Sequence, residues 1–309
     1  MTAAEVPVLK AESIRERDNP YVIMLKRLFH HRSAQLGMAL LGLLIICAVF
    51  AEQIAPYDPI IQLKNVKRRD TPCVHLLGCP QEKEQHLMGI DGNSRDLFSR
   101  IIFGARLSLQ VGVSTVTFAI LIGGLLGALA GFVGGWLDDL IMRSLDVLMA
   151  FPSLLLAIAI VSVLGPGLIN ALLAVAIIEI PIFARVVRAS VLSVKELDYV
   201  MASRAQGGSE LHVLFTRILP NALTPLIVQG TLGIASAILS AAALSFLGLG
   251  AGPPTPEWGL MLSQERNSVF NAPFLVFFPG FAIMLTVLSF NLIGDGLRDV
   301  LDPRLVHGG

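Results

Sequence analysis

Residues 107–137 read LSLQVGVSTVTFAILIGGLLGALAGFVGGWL, without one charged side chain. A helix rises 1.5 Å per residue, so about 20 apolar residues cross the roughly 30 Å of bilayer hydrocarbon. In lipid the backbone must satisfy its own hydrogen bonds, and a single uncharged stretch does so only as a helix. This stretch decides the fold class, an all-α integral membrane protein. Outward from it lie four more uncharged blocks, at 33–51, 147–178, 218–256 and 267–294. The block at 147–178 is too long for one crossing, and Gly165-Pro166-Gly167 within it is a turn signal. Six transmembrane helices are therefore predicted, near 34–55, 107–133, 139–164, 168–188, 222–249 and 273–296.

Composition agrees. Hydrophobic residues make up 54% and charged residues 15% of the 309, against about 25% charged in soluble domains. A formal net charge of zero gives no sign of nucleic-acid binding. The first 33 residues are polar, with Lys10, Arg15, Arg17, Lys26, Arg27 and Arg32, and read as a retained tail and not a signal peptide. Six crossings put both termini on one side. The Lys and Arg balance makes that side the cytoplasm, against a basic cluster of Lys64, Lys67, Arg68 and Arg69 in the first outer loop. The expected layout is a tail with an interfacial helix (1–33), a first span with its outer loop (34–106), a core of five helices (107–296) and a cytoplasmic tail (297–309).

Residues 20–32 mix aromatic and basic side chains, as an interfacial helix does. Residues 93–107 read as an amphipathic helix capped by Asn93 or Ser94 and lying along the outer surface. Gly123, Gly127, Gly131 and Gly135 recur every four residues and predict a close helix–helix contact. The turn Gly134–Asp139 supplies an interfacial Trp136 and acidic caps, Arg143 and Asp146 pair with each other or with the adjoining loop, and Trp258 sits at the interface. Cys47 packs within the first span. Cys73 and Cys79 are either a disulfide in an oxidising compartment or free thiols, and without His or Cys neighbours they are a poor zinc motif. Glu179 lies mid-span beside Pro181. A carboxylate there either faces the substrate pathway or bonds a neighbouring helix.

Other classes fit less well. No His falls mid-span, and Glu179 alone forms no catalytic set. No internal repeat of the secondary-transporter kind is visible. There is no Gly-Lys-Ser/Thr phosphate loop, so any ATP chemistry belongs to another chain. The most informative polar segment runs from Val194 through Lys195, Glu196, Asp198, Tyr199 and the pair Gly207-Gly208 to Arg217, Pro220 and Asn221. Two short helices split by glycines suit a docking element better than a linker.

Four stretches together carry a resemblance: Gly89–Asp96, Tyr199–Asn221, Ser245–Gly250 with Pro253–Gly259, and Gly294–Pro303. In order and between the right spans, they resemble the permease subunits of peptide-type ABC importers, specifically the C subunit of dipeptide and glutathione transporters. The resemblance implies the type I importer permease fold with a cytoplasmic coupling loop. It places Met201, Ala202, Ser203, Gly207, Leu219 and Pro220 in that loop, with Met201 where the family carries Glu and Ser203 where it carries Ala. It further implies a homologous B-type permease partner, two ATPase subunits that bind ATP and Mg, a periplasmic peptide-binding protein and residence in the bacterial inner membrane. No cofactor is implied in this chain. Nickel chelates or other small solutes are the alternative cargo.

Overall fold

A computed structural model describes residues 26–301. Among them there is no β-strand, only isolated bridges pairing Cys73 with His86 and Ile90 with Asp96. The elements are α1 (Arg32–Val49), α2 (Leu97–Val133), α3 (Gly135–Met149), α4 (Ser153–Leu164), α5 (Leu168–Val194), α6 (Asp198–Ala205), α7 (210–222), α8 (Thr224–Phe246), α9 (Trp258–Glu265) and α10 (Phe274–Leu301). Five of them, α1, α2, α5, α8 and α10, are long and apolar enough to cross a membrane, and α3 with α4 reaches that length and apolarity only as a bent pair, which makes six if the pair is counted as one span. The near end of the bundle holds Arg32, α6, α7 and Leu301. The far end holds the 50–96 and 247–273 segments. Residues 1–25 and 302–309, with most of the predicted N-terminal tail and the end of the C-terminal one, lie outside the described residues.

The centre of the bundle is α5, whose Phe183, Ala184, Val187 and Val191 have no exposed surface. It is gripped by α2 through the glycine stripe. A Cβ added at Gly123 would stand 2.6 Å from the Ile180 carbonyl oxygen, and one at Gly127 would collide with that of Ala184. Gly131 faces Arg188 and Val191 in the same way. Gly135 is not part of this contact. With φ +61° after Gly134 at +70°, it turns the chain out of α2, in the left-handed region that glycine enters without steric cost.

The third predicted span is corrected. Residues 139–164 are not one helix: α3 and α4 meet at 93°. Pro152 supplies no N–H and disfavours helical geometry at Phe151, so the uncharged run breaks there. Facing α5, α3 places Asp138 against Arg188 at 2.5 and 2.6 Å and Asp146 against Arg185 at 2.5 Å. Asp146 thus pairs across helices and not with Arg143, and no acid caps α3. Trp136 is 75% exposed.

A second correction concerns residues 93–107. They are not a separate helix on the surface. Asp96, not Asn93 or Ser94, caps α2 by accepting from the Ser99 backbone N–H at 2.8 Å, and α2 runs unbroken for 37 residues. Trp258 is likewise not interfacial. It is 1% exposed and donates from Nε1 to the Ile101 carbonyl at 3.1 Å.

Candidate functional site

Two polar assemblies occupy the two ends of the bundle. At the near end α6 and α7 build a compact platform. Gly207 ends α6 at φ +85°, and the N–H groups of Gly207 and Gly208 return to the carbonyls of Arg204 and Ser203 at 2.9 and 3.1 Å. A backbone in that conformation strains any residue with a Cβ. Ser209 then caps α7 by accepting from the His212 N–H, and Arg204 bridges the two helices to Glu210 at 3.2 Å. Asn221 Nδ2 donates to Tyr199 Oη at 3.0 Å and to the Arg217 carbonyl at 2.8 Å. Val200, Val213 and Ile218 are fully buried and join the same apolar core as Val187 and Val191 of α5. The platform is therefore continuous with the central helix, not hung from it.

The six residues that the sequence assigned to this loop fall on the platform as follows. Met201, Ala202, Gly207 and Pro220 are exposed, and Ser203 and Leu219 are half-buried. Also exposed on α7 are Leu211 and Phe215, two large apolar side chains outside the six assigned residues. Their spacing of four on a helix was the available signal. Within α7, Leu214–Ile218 forms a π turn, a local irregularity that recurs at functional positions in helices.

The far end is held by buried charges that the sequence reading did not assign. Asp91 accepts from the backbone N–H groups of Asn93 and Arg95 and from Arg95 Nε, all at 2.8–2.9 Å. Arg95 also reaches Gln264 at 3.0 Å. Glu265 accepts from Arg69 at 3.0 Å, Gly92 N–H at 2.7 Å and Ser268 at 3.1 Å. Arg100 donates to the carbonyls of Pro59, Pro254 and Thr255 at 2.8, 3.2 and 3.1 Å. Asp96 accepts from His86 Nδ1 at 2.9 Å as well as from Ser99. The stretch Gly89–Asp96, the first of the four recognised, is thus the clasp that joins the long loop after α1 to α9. The structure joins Cys73 to Cys79 by a disulfide, with Cα atoms 5.4 Å apart.

Glu179 belongs to neither assembly. It is buried between α5 and α8, where Ser236 donates to its Oε1 at 3.1 Å. Among the described residues, no three His, Cys, Asp or Glu side chains converge as metal ligands.

Comparison with known proteins agrees with this architecture. A family model described as the binding-protein-dependent transport system inner membrane component matches residues 123–307. Another, the N-terminal TM domain of oligopeptide transport permease C, matches residues 19–72. The dipeptide transport system permease protein of Alkalihalophilus pseudofirmus is 49% identical over 287 residues, 93% of this chain and 91% of the relative. The di/tripeptide transport system permease protein of Pseudomonas aeruginosa is 49% identical over 276 residues, 89% of each chain. The glutathione transport system permease protein of Pectobacterium atrosepticum is 43% identical over 302 residues, 98% of this chain and 96% of the relative. A chain of the MetNI methionine ABC transporter, solved in inward-facing conformations, superposes with a TM-score of 0.54 at 20% identity, covering 67% of this chain and 98% of that one. That likeness concerns the fold, the type I importer permease fold. On the matched residues and on these relatives, the chain belongs to the binding-protein-dependent transport system inner membrane component family, the multi-pass permease subunits of ABC transport systems.

Proposed function

We propose that this chain is one of two membrane-spanning subunits of an ATP-driven importer that carries short peptides, dipeptides or similar, from periplasm to cytoplasm. The observation that carries the reading is the near-end platform. Two short helices, split at Gly207 and presenting Met201, Leu211 and Phe215, are rooted in the core of α5 and placed outside the spans. An exposed apolar face on a rigid base is what a groove in a partner takes up. The names of the relatives, dipeptide, di/tripeptide and glutathione permeases, supply the substrate class.

In this reading two ATPase subunits bind ATP and Mg, one of them seating on Met201, Ala202, Ser203, Gly207, Leu219 and Pro220. The other seats on a homologous B-type permease, and a periplasmic binding protein delivers the peptide. No cofactor resides in this chain. The near end and both termini face the cytoplasm of a bacterium, with the spans in its inner membrane. The layout is an N-terminal tail to residue 33, a first span with its outer loop, a five-helix core opened by α2, to which 97–106 belong and not to the loop, and a cytoplasmic tail. ATP drives the cycle only if the closed ATPases bind one arrangement of the platform better than the other. Because Val200, Val213 and Ile218 share the core of α5, a shift of the platform moves α5 with it. Glu179 bridges α5 to α8 through Ser236. Relative movement of those two helices would turn this carboxylate toward the pathway, where the ammonium group of a peptide is its natural partner.

The test is to extract the tagged chain gently and identify what comes with it. The expected result is a second permease and two ATPases, with vanadate-sensitive ATP hydrolysis that rises with peptide-loaded binding protein. A chain that emerges alone, with no hydrolysis, sinks the reading.

A further inference from the structure

Among the described residues, the two most exposed large apolar side chains are Phe270, at 97%, and Leu76, at 96%. Both stand on far-end loops, and neither is on a transmembrane helix. Exposed apolar residues scattered singly over a surface need no explanation, but these two share unusual support. Leu76 tops a short 3₁₀ turn, His75–Leu77. That turn is closed by the Cys73–Cys79 disulfide, by paired backbone hydrogen bonds between Cys73 and His86 at 2.8 and 3.0 Å, and by His75 Nε2 donating to the Lys83 carbonyl at 2.8 Å. Phe270 tops the turn after α9, where the Asn271 and Ala272 N–H groups return to the Ser268 carbonyl and Ser268 is held by Glu265.

The two loops adjoin. Around Gly89, whose added Cβ would stand 2.8 Å from Phe274 and 3.2 Å from the Pro72 nitrogen, the base of the disulfide loop meets the start of α10. Arg69 and Glu265 bridge the same seam at 3.0 Å. The surroundings are largely polar. Residues 81–85, next to the disulfide loop, are all exposed and include Glu82, Lys83 and Glu84, and Arg266, Asn267 and Asn271 are exposed around Phe270. A large apolar side chain held rigidly in a charged surface gains the full benefit of burial on docking, with little conformational entropy left to lose.

We propose that Leu76 and Phe270 are the apolar anchors on which the soluble binding protein seats. This rests on the reading above that the far end faces the periplasm. The family supplies the occupant, since its transport is described as binding-protein-dependent.

The experiment uses the complete transporter in lipid nanodiscs, titrated with dipeptide-loaded binding protein while ATP hydrolysis is followed. Leu76→Ser and Phe270→Ser are each expected to raise the half-saturating concentration of binding protein about tenfold, as loss of a central interface side chain does. The change should fall on that concentration and not on the maximal rate. Cys73→Ser with Cys79→Ser should raise it by a smaller factor, because Leu76 remains but is no longer held. Wild-type half-saturation in both single variants overturns the proposal. A Phe270→Ser transporter that assembles poorly but titrates normally makes Phe270 a lipid anchor and removes it from the docking surface. If the wild-type transporter is not stimulated by binding protein at all, the importer reading itself has failed, and that outcome is distinct from the others.

Discussion

Arg100 has no exposed surface, yet it sits in the first turn of a helix that goes on to cross the bilayer. Its planar fork suits three carbonyl acceptors, which the compact ammonium of lysine cannot match. Replacing it by Met would strand the carbonyls of Pro59, Pro254 and Thr255 and take away the cation whose Nε stands 3.5 Å from Asp91 Oδ2. Breaking a buried set of this kind costs about 3–5 kcal/mol, so Arg100→Met should lower the thermal midpoint of the purified protein by several degrees, and Arg100→Lys should lower it nearly as much. An unchanged midpoint for Arg100→Met would show that the guanidinium carries no stability. The sequence hid this role. The acceptors lie 41, 154 and 155 positions away, and without them an arginine beside a span is naturally read as lying on the membrane surface.

Glu257 makes the pH-dependent case. Burial pushes its carboxyl above the usual range, while the Gly259 and Leu260 N–H groups that it caps pull the other way. A group whose pKa is higher folded than unfolded adds stability at low pH, and that contribution fades as pH rises through the folded value. Glu257→Gln removes the titration. The thermal midpoint of the variant minus that of wild type should therefore grow as pH rises from about 4 to about 7, the window above the unfolded carboxylate pKa. A difference that shrinks with pH would mean that the capped N–H groups outweigh burial.

Among the elements, the packing of α2 on α5 was legible in the glycine period, because in lipid only backbone proximity and shape bring helices together. Its reach was not, since the same period runs on to Gly135, which makes a turn instead. This gives a paired prediction. Gly127→Ala must push its methyl into the Ala184 carbonyl and should sharply reduce the yield of folded protein, whereas Gly124→Ala, with nothing within 4 Å of its added Cβ, should be neutral. Equal effects on yield in a fluorescence-detected size-exclusion assay would refute the contact. The break between α3 and α4 is also present in the sequence, at Pro152, but a single proline inside a long uncharged run is compatible with either a kinked helix or a full break, and run length alone does not separate the two. The tie of α3 to α5 through Asp138 and Asp146 could not be seen, because Arg188 and Arg185 are 50 and 39 positions away.

For the whole molecule, the five long apolar helices follow from uncharged blocks of sufficient length, since lipid leaves the backbone few alternatives. Orientation rests on charge balance and on the platform, and thiol labelling tests it. With Cys47 replaced by Ser and the Cys73–Cys79 bridge intact, Gln206→Cys should react with a membrane-impermeant maleimide only after cells are opened, and Glu82→Cys should react on intact cells. The reverse pattern would invert the topology. The far-end clasp was legible only as a recurring string, Gly89–Asp96, because its partners come from α9, more than 160 residues later.

The π turn at Leu214–Ile218 has a consequence for the whole chain. Such a turn contains one residue more than an α turn, and each residue advances a helix by about 100°. The phase between the Leu211–Phe215 face and everything from Leu219 into α8 is thus set by a count of residues and not by any one side chain. Thr216→Ala should leave transport within about twofold, since only a surface hydroxyl is lost, while deleting Thr216 should abolish it, and equal outcomes would remove the idea. In this short stretch, chain length is the inherited quantity.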